Sequence, residues 1–182
     1  MKSQYDLIVV GAGVLGTFHA IHAAKSGKTV LLTEKDQYPV NATVRNFGQA
    51  VPSGMSSDWL TYARRSTELY NEIQREFDIS VRNNGTVYLS SDPDELQLIH
   101  ELKERMDTMD YEAQLLSPDD CLTKWPSLSK NYCNGGLFFP QEVSVEPEKL
   151  IYRLLEYAVK KYPNLTYKPS TAVTDCTTTG DH

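Results

Sequence analysis

The chain has 182 residues, 40% of them hydrophobic, and a formal net charge of −6. It holds no apolar run long enough to cross a membrane, and its acidic balance excludes the basic stripe that a nucleic-acid surface needs. The length supports one domain or slightly more. Cys121, Cys133 and Cys176 are odd in number, widely spaced and form no CxxC pair. They predict reduced thiols in a cytoplasmic protein, with neither a disulfide frame nor a zinc site.

Residues 5–10 form an apolar run that predicts a strand. Gly11-Ala12-Gly13-Val14-Leu15-Gly16 follows, opening a helix that ends at Gly27, and a second apolar strand over 30–34 ends in Glu34. This is a βαβ unit shaped for a dinucleotide. Gly11 allows the sharp turn out of the strand, Gly13 lets a pyrophosphate approach the backbone, and Gly16 lets the helix pack closely on the strands. The first helical N–H groups lack internal partners and carry partial positive charge, so they suit an anion. Glu34 stands where a carboxylate can accept hydrogen bonds from both ribose hydroxyls, which favours FAD or NAD over NADP. Two competing readings, a signal peptide starting at Met1-Lys2 and a Gly-rich turn that binds nothing, are not the expectation. Asp6 and three glycines interrupt the apolar core, and no small-residue cleavage site follows a long apolar run.

A polar loop comes next, Thr43-Val44-Arg45-Asn46-Phe47-Gly48-Gln49, then a turn at 51–54. Ser57 or Asp58 can cap a helix whose predicted buried face is Trp59, Tyr62, Ala63, Tyr70, Ile73 and Phe77. Segments 79–82 and 86–90 predict two strands joined as a hairpin through Asn83-Asn84-Gly85. Asp92-Pro93-Asp94-Glu95 opens a helix with Leu96, Ile99, Leu102, Met106 and Met109 inside. A short strand over 113–116, a short helix from Ser117-Pro118 to Trp125-Pro126 and a strand over 136–139 follow. Pro147 opens the last helix, which buries Leu150, Ile151, Leu154, Leu155 and Ala158. Lys160 and Lys161 suit its C-terminal dipole. An extended segment over 167–176 ends the pattern. Only two parallel strands are clear, too few to bury both faces of a sheet. The expectation is therefore an N-terminal fragment of a longer protein.

With the glycine turn, Leu32-Thr33-Glu34-Lys35, the loop from Thr43, the 85–89 strand and the stretch 136–147, the chain resembles the D-amino-acid-oxidase-like flavoenzymes, including glycine and sarcosine oxidases. The loop Val44 to Gln49 is most similar to a bacterial branch linked to aminophosphonate breakdown. The resemblance implies an α/β fold, with a Rossmann-like FAD-binding βαβ domain and an inserted α+β substrate domain, both incomplete here. It implies an FAD-binding part over 1–80, a substrate-domain part over 81–145 and a return to the FAD-binding domain over 146–182. FAD is the implied cofactor, and a small amine or amino acid the implied substrate. Gly11, Ala12, Gly13, Val14, Leu15 and Gly16 would take the pyrophosphate and Glu34 the ribose, with Lys35 at the adenine end. Thr43, Val44, Arg45, Asn46, Phe47 and Gly48 would run along the flavin side. Val173 would touch adenine through its backbone.

The implied reaction is oxidation of a C–N bond by hydride transfer to flavin, which needs a neutral amine near the flavin more than a strong base. No catalytic residue is assigned in this chain. Arg45 has two readings, a stabiliser of reduced flavin and a structural loop arginine. His19 and His22 share a helix face but lack a third ligand at a telling spacing, so no metal site is expected. Two alternatives stay open: an NAD-binding dehydrogenase domain and a non-catalytic truncated remnant. Oligomeric state is not readable.

Overall fold

The computed structural model describes residues 4–178. The charged start at Met1-Lys2 and the end of the final polar run, residues 179–182, lie outside them. The chain divides into two compact units. One takes in the chain up to Gly48, Ile73–Ser80 and the chain from Val145 on; the other takes in Gln49–Glu72 and Val81–Ser144.

The first unit is built on a three-stranded parallel sheet, ordered β1 (Leu7–Val10), β2 (Val30–Thr33), β8 (Leu165–Lys168). The third strand corrects the expectation of two clear parallel strands. Its sequence, Leu-Thr-Tyr-Lys, alternates and follows Pro163, so it gives little signal before its partner is known. Helix α1 (Val14–Lys25) packs on β1 and β2, and α5 (Pro147–Lys161) packs on α1 and β8. Ala20, Ile21 and Ala24 of α1 are buried. So are the five predicted apolar residues of α5. Gly27, at φ +83, ends the turn after α1, the left-handed conformation that glycine adopts without strain. Ile8 and Val10 alternate onto one strand face and remain exposed.

The second unit holds an antiparallel sheet ordered β4 (Thr86–Ser90), β6 (Gly135–Phe139), β5 (Gln114–Leu116), and a short pair β3 (Gln49–Ala50) with β7 (Val143–Ser144). Helices α3 (Pro93–Thr108) and α4 (Pro118–Lys124) flank the larger sheet. The core gathers Leu60, Ile99, Met106, Tyr111, Leu137 and Phe139. Phe139 meets the Tyr88 ring edge to face, with centroids 5.7 Å apart.

Two predicted features are corrected here. The 79–82 and 86–90 segments do not form a hairpin. Arg82 makes an isolated bridge to Ser144, and β4 pairs with β6 instead. Gly85 does turn the chain at φ +71, but its N–H donates to the Glu142 carbonyl, 3.1 Å away. Helix α2 (Ser57–Glu76) also turns a different face inward at its start. Leu60 is buried, whereas Trp59 is 64% and Tyr62 67% exposed. A single 3.6-residue stripe presumes one core, but α2 contributes Ser57–Glu72 to one unit and its last turn, with buried Ile73, to the other.

The helix starts follow their local chemistry. Asp92 accepts the Glu95 N–H at 2.9 Å. Ser117 and Asp120 form a reciprocal capping box on α4. Ser117→Ala removes one half of that box. It is expected to lower the stability of the second unit by about 1 kcal/mol, read as a reduced urea midpoint with an unchanged slope.

Candidate functional site

The glycine turn shows why its spacing matters. Gly11 sits at φ +97, and its N–H donates to the Thr33 carbonyl at 2.8 Å, which docks the start of the turn on β2. A Cβ on Gly16 would lie 1.9 Å from the Gly11 carbonyl oxygen, so the closeness of helix to strand depends on its absence. Gly13 is the N-cap of α1, which has no side-chain cap and no acidic residue in its first turn. A Cβ on Gly13 would meet the Thr43 hydroxyl at 3.1 Å. That hydroxyl accepts the Val14 N–H at 3.1 Å. The N–H groups of Leu15 and Gly16, one turn in, have no intrahelical acceptor by geometry.

Glu34 is buried and clamped by backbone groups. Its Oε2 accepts the Ala12 N–H at 2.9 Å and its Oε1 accepts the Asp36 N–H at 3.2 Å. The Thr171 N–H donates to the Glu34 carbonyl at 2.7 Å, and the Ser170 N–H to the Asp36 carbonyl at 2.9 Å. The segment after β8 is thereby drawn alongside the end of β2. Tyr167 of β8 has a buried hydroxyl with no hydrogen-bond partner among the described residues. Burial, with the nearby Glu34 charge and Tyr38 adding to it, pushes its pKa up to about 12.

These elements enclose a cleft of about 300 Å³. Six of the residues singled out from sequence line it: Gly11, Gly13, Glu34, Lys35, Thr43 and Val173. Ala12 is buried and holds Glu34, and Val14 holds Thr43, so both act on the wall through hydrogen bonds. Leu15 is exposed, and Gly16 packs on the strand side. The rest of the polar loop does not line the cleft. Val44 and Arg45 close the turn by donating to the Asn41 and Ala42 carbonyls. The Asn46 side chain braces the loop, donating to the Ala42 and Thr43 carbonyls and accepting the Gly48 N–H. Phe47 is 96% exposed. Gly48, at φ +70, passes so close to the Val145 carbonyl that a Cβ would lie 2.0 Å from its oxygen. Sequence reasoning missed Val10, Pro39, Val40, Asn41, Thr171 and Ala172, which complete the lining. Only the chain's return after β8 brings the last two there.

The donor set fits a dinucleotide. Uncapped helical N–H groups offer a pyrophosphate site, the glycines leave room beside the backbone, and the clamped carboxylate keeps lone pairs for ribose hydroxyls. No helix among the described residues is long and apolar enough to cross a membrane.

Residues 6–180 match the family described as DAO, FAD dependent oxidoreductase. A glycine oxidase of Bacillus licheniformis is 27% identical over 81% of this chain and 41% of its own length. A glycerol 3-phosphate dehydrogenase of Caloramator mitchellensis is 25% identical over 89% of this chain and 35% of its own length. The crystal structure of glycine oxidase from Geobacillus kaustophilus superposes with a TM-score of 0.83 at 22% identity. That match covers 94% of this chain and 48% of the oxidase, and it is a likeness of fold. The chain thus spans less than half the length of these relatives.

Proposed function

The chain belongs to the DAO family of FAD-dependent oxidoreductases, and on that premise we propose that it is the nucleotide-holding part, with part of a substrate domain, of an enzyme oxidising a small amine or amino acid at its C–N bond. The observation that carries this reading is the single cleft on which Gly11, Gly13, Glu34, Lys35, Thr43 and Val173 converge. The first unit is the FAD-binding part in this reading, and the second the substrate-domain part. When bound, FAD supplies the hydride acceptor.

The chain's own residues hold and orient. The N–H groups at the start of α1 take the pyrophosphate, next to the Thr43 hydroxyl. Glu34, already fixed by the Ala12 and Asp36 N–H groups, receives the ribose hydroxyls without having to reorganise. Lys35 and Val173 border the adenine end. The braced loop from Val44 to Gly48 extends toward the flavin side. A C–N substrate is supported by the glycine oxidase relative. An aminophosphonate is the narrower choice, supported by the loop resemblance alone. The glycerol 3-phosphate dehydrogenase relative supports alcohol oxidation as the competing chemistry. A cytoplasmic location is part of the same proposal, in keeping with the odd number and wide spacing of Cys121, Cys133 and Cys176.

Titration of the purified chain with FAD tests the reading, followed by flavin fluorescence. Saturable binding is expected, and NAD should not compete. Glu34→Ala removes the ribose acceptor and the clamp on Ala12, and should weaken FAD by roughly 10- to 100-fold. A chain that takes up no FAD would sink the proposal. This chain alone, with only part of a substrate domain, is expected to show no turnover, so anaerobic bleaching of the flavin in the longer enzyme by an amine, an aminophosphonate or glycerol 3-phosphate decides the substrate class.

A further inference from the structure

The second unit holds two thiols that the cofactor reading does not use, Cys121 on α4 and Cys133 just ahead of β6. Both are buried, at 0% and 5% exposure. Their surroundings differ. Cys121 packs against the sheet. A Cβ on Gly136 would lie 3.1 Å from its Sγ, so the glycine leaves the space that the sulfur fills. Cys133 is tucked in from a run that is otherwise turned to solvent, with residues 129–132 before it and Asn134 after it exposed.

What Cys133 meets on the inside is the other thiol. The two side chains interact, and Cys133 lies three residues before the glycine on which the Cys121 sulfur rests. Burial pushes the Cys121 pKa up to about 11, with the Cys133 thiol adding to the rise, so Cys121 is protonated at neutral pH. Beyond Trp125, which packs on Phe138 with ring centroids 5.8 Å apart, the loop between the two cysteines is held lightly. Its backbone bonds from Leu128 to Trp125 and from Tyr132 to Ser129 are local, and the Asn134 N–H then reaches the Ser90 carbonyl of β4 at 2.8 Å. A segment held in this way opens at low cost, which gives a small oxidant access to Cys133.

We propose that Cys121 and Cys133 are a redox-sensitive pair, reduced at rest and closed into a disulfide by hydrogen peroxide. Cys133 meets the oxidant first. Its sulfur attacks one peroxide oxygen, the O–O bond breaks, and the thiol proton leaves with the departing hydroxide as water, giving a sulfenic acid. The Cys121 sulfur then forms the S–S bond, the S–O bond breaks, and the Cys121 proton leaves with that hydroxide as a second water. Two thiols are oxidised and one peroxide is reduced. A small dithiol reverses the step by exchange. The bond ties the 122–132 loop to α4 and restrains a segment that the reduced chain leaves free to open.

Peroxide treatment of the folded full chain carrying Cys176→Ser, which removes the exposed third thiol, tests it. The intact mass should fall by the two hydrogens lost, and digestion should yield a peptide pair linked through Cys121 and Cys133. Trypsin cleavage after Lys130, inside the loop, should slow by roughly ten-fold on oxidation. Dithiothreitol should reverse all three. In Cys121→Ser, dimedone should trap a sulfenic acid on Cys133, and Cys133→Ser should stay unlabelled. If a serine variant does not fold, the mass and the linked peptide of the parent still decide. Thiols that survive peroxide unchanged, or pass to sulfinic acids without linkage, overturn the proposal. So does a linkage that forms only after the chain is unfolded in urea, or an oxidised chain cut at the reduced rate. Dimedone on Cys121 instead overturns the assigned roles. No readout depends on FAD, so the result stands apart from the cofactor assignment.

Discussion

Gly16→Val is expected to cut FAD affinity by roughly 50- to 100-fold, the equivalent of about 2–3 kcal/mol of overpacking at a site that cannot yield. The first atom of the new side chain would lie 1.9 Å from the Gly11 carbonyl oxygen and 3.3 Å from Val9 Cγ1. Neither can move freely. Gly11 is pinned by its bond to Thr33, and Val9 is paired in register with Leu32. The helix must therefore tilt off the strand, carrying its first N–H groups away from the cleft. Gly27→Ala is the matched control. Gly27 has a positive φ but open space around its missing Cβ. That variant should lose about 1 kcal/mol of stability through backbone strain alone and keep its FAD affinity. Equal FAD affinity for Gly16→Val and the parent chain would show that the close packing of α1 does not shape the site.

Glu142→Ala should destabilise the second unit by about 3–5 kcal/mol, the largest effect expected there. Glu142 is 0% exposed. Its Oε1 accepts the Ser53 N–H at 2.8 Å and the Tyr111 hydroxyl at 3.3 Å. The truncation strands both donors, each costing roughly 1–3 kcal/mol, and leaves a void. Glu142→Gln keeps the acceptor and removes the charge, so it should fold with near-parental stability. The two separate in their pH dependence. Burial raises the Glu142 pKa above its ordinary value of 4.5, and the bond from Ser53 offsets part of that rise. The folded state then holds this proton where the unfolded state has released it. By linkage, stability must fall as the pH climbs from about 4.5 toward the raised value. The parent chain should lose stability relative to Glu142→Gln across that window and run parallel to it above. Urea midpoints at a series of pH values measure it. A constant difference between the two proteins would mean that the carboxyl titrates normally in the fold. The same burial raises the Tyr111 hydroxyl, with the Glu142 charge adding to it, so Tyr111 remains a hydrogen-bond donor throughout this range.

Sequence by itself determined the βαβ unit, because every constraint there is local. The glycine spacing, the C-terminal Gly27 and the carboxylate at the strand end act within thirty residues. The capped starts of α3 and α4 and the apolar stripe of α5 were legible for the same reason. Tertiary structure alone decided the rest. Strand β8 pairs with β2 across more than 130 residues, and only that pairing brings Thr171, Ala172 and Val173 to the cleft. The partner of β4 is likewise distant, so Asn83-Asn84-Gly85 suggested a hairpin that long-range pairing with β6 displaced. Trp59 and Tyr62 fit a stripe that assumed one core, whereas α2 serves two. Glu142 gave no signal, since a glutamate in a polar turn looks solvated until Ser53 and Tyr111 close over it. Propensity and periodicity report what neighbours in sequence require of one another, and a buried acceptor or a sheet partner is set by residues that meet only when the chain folds.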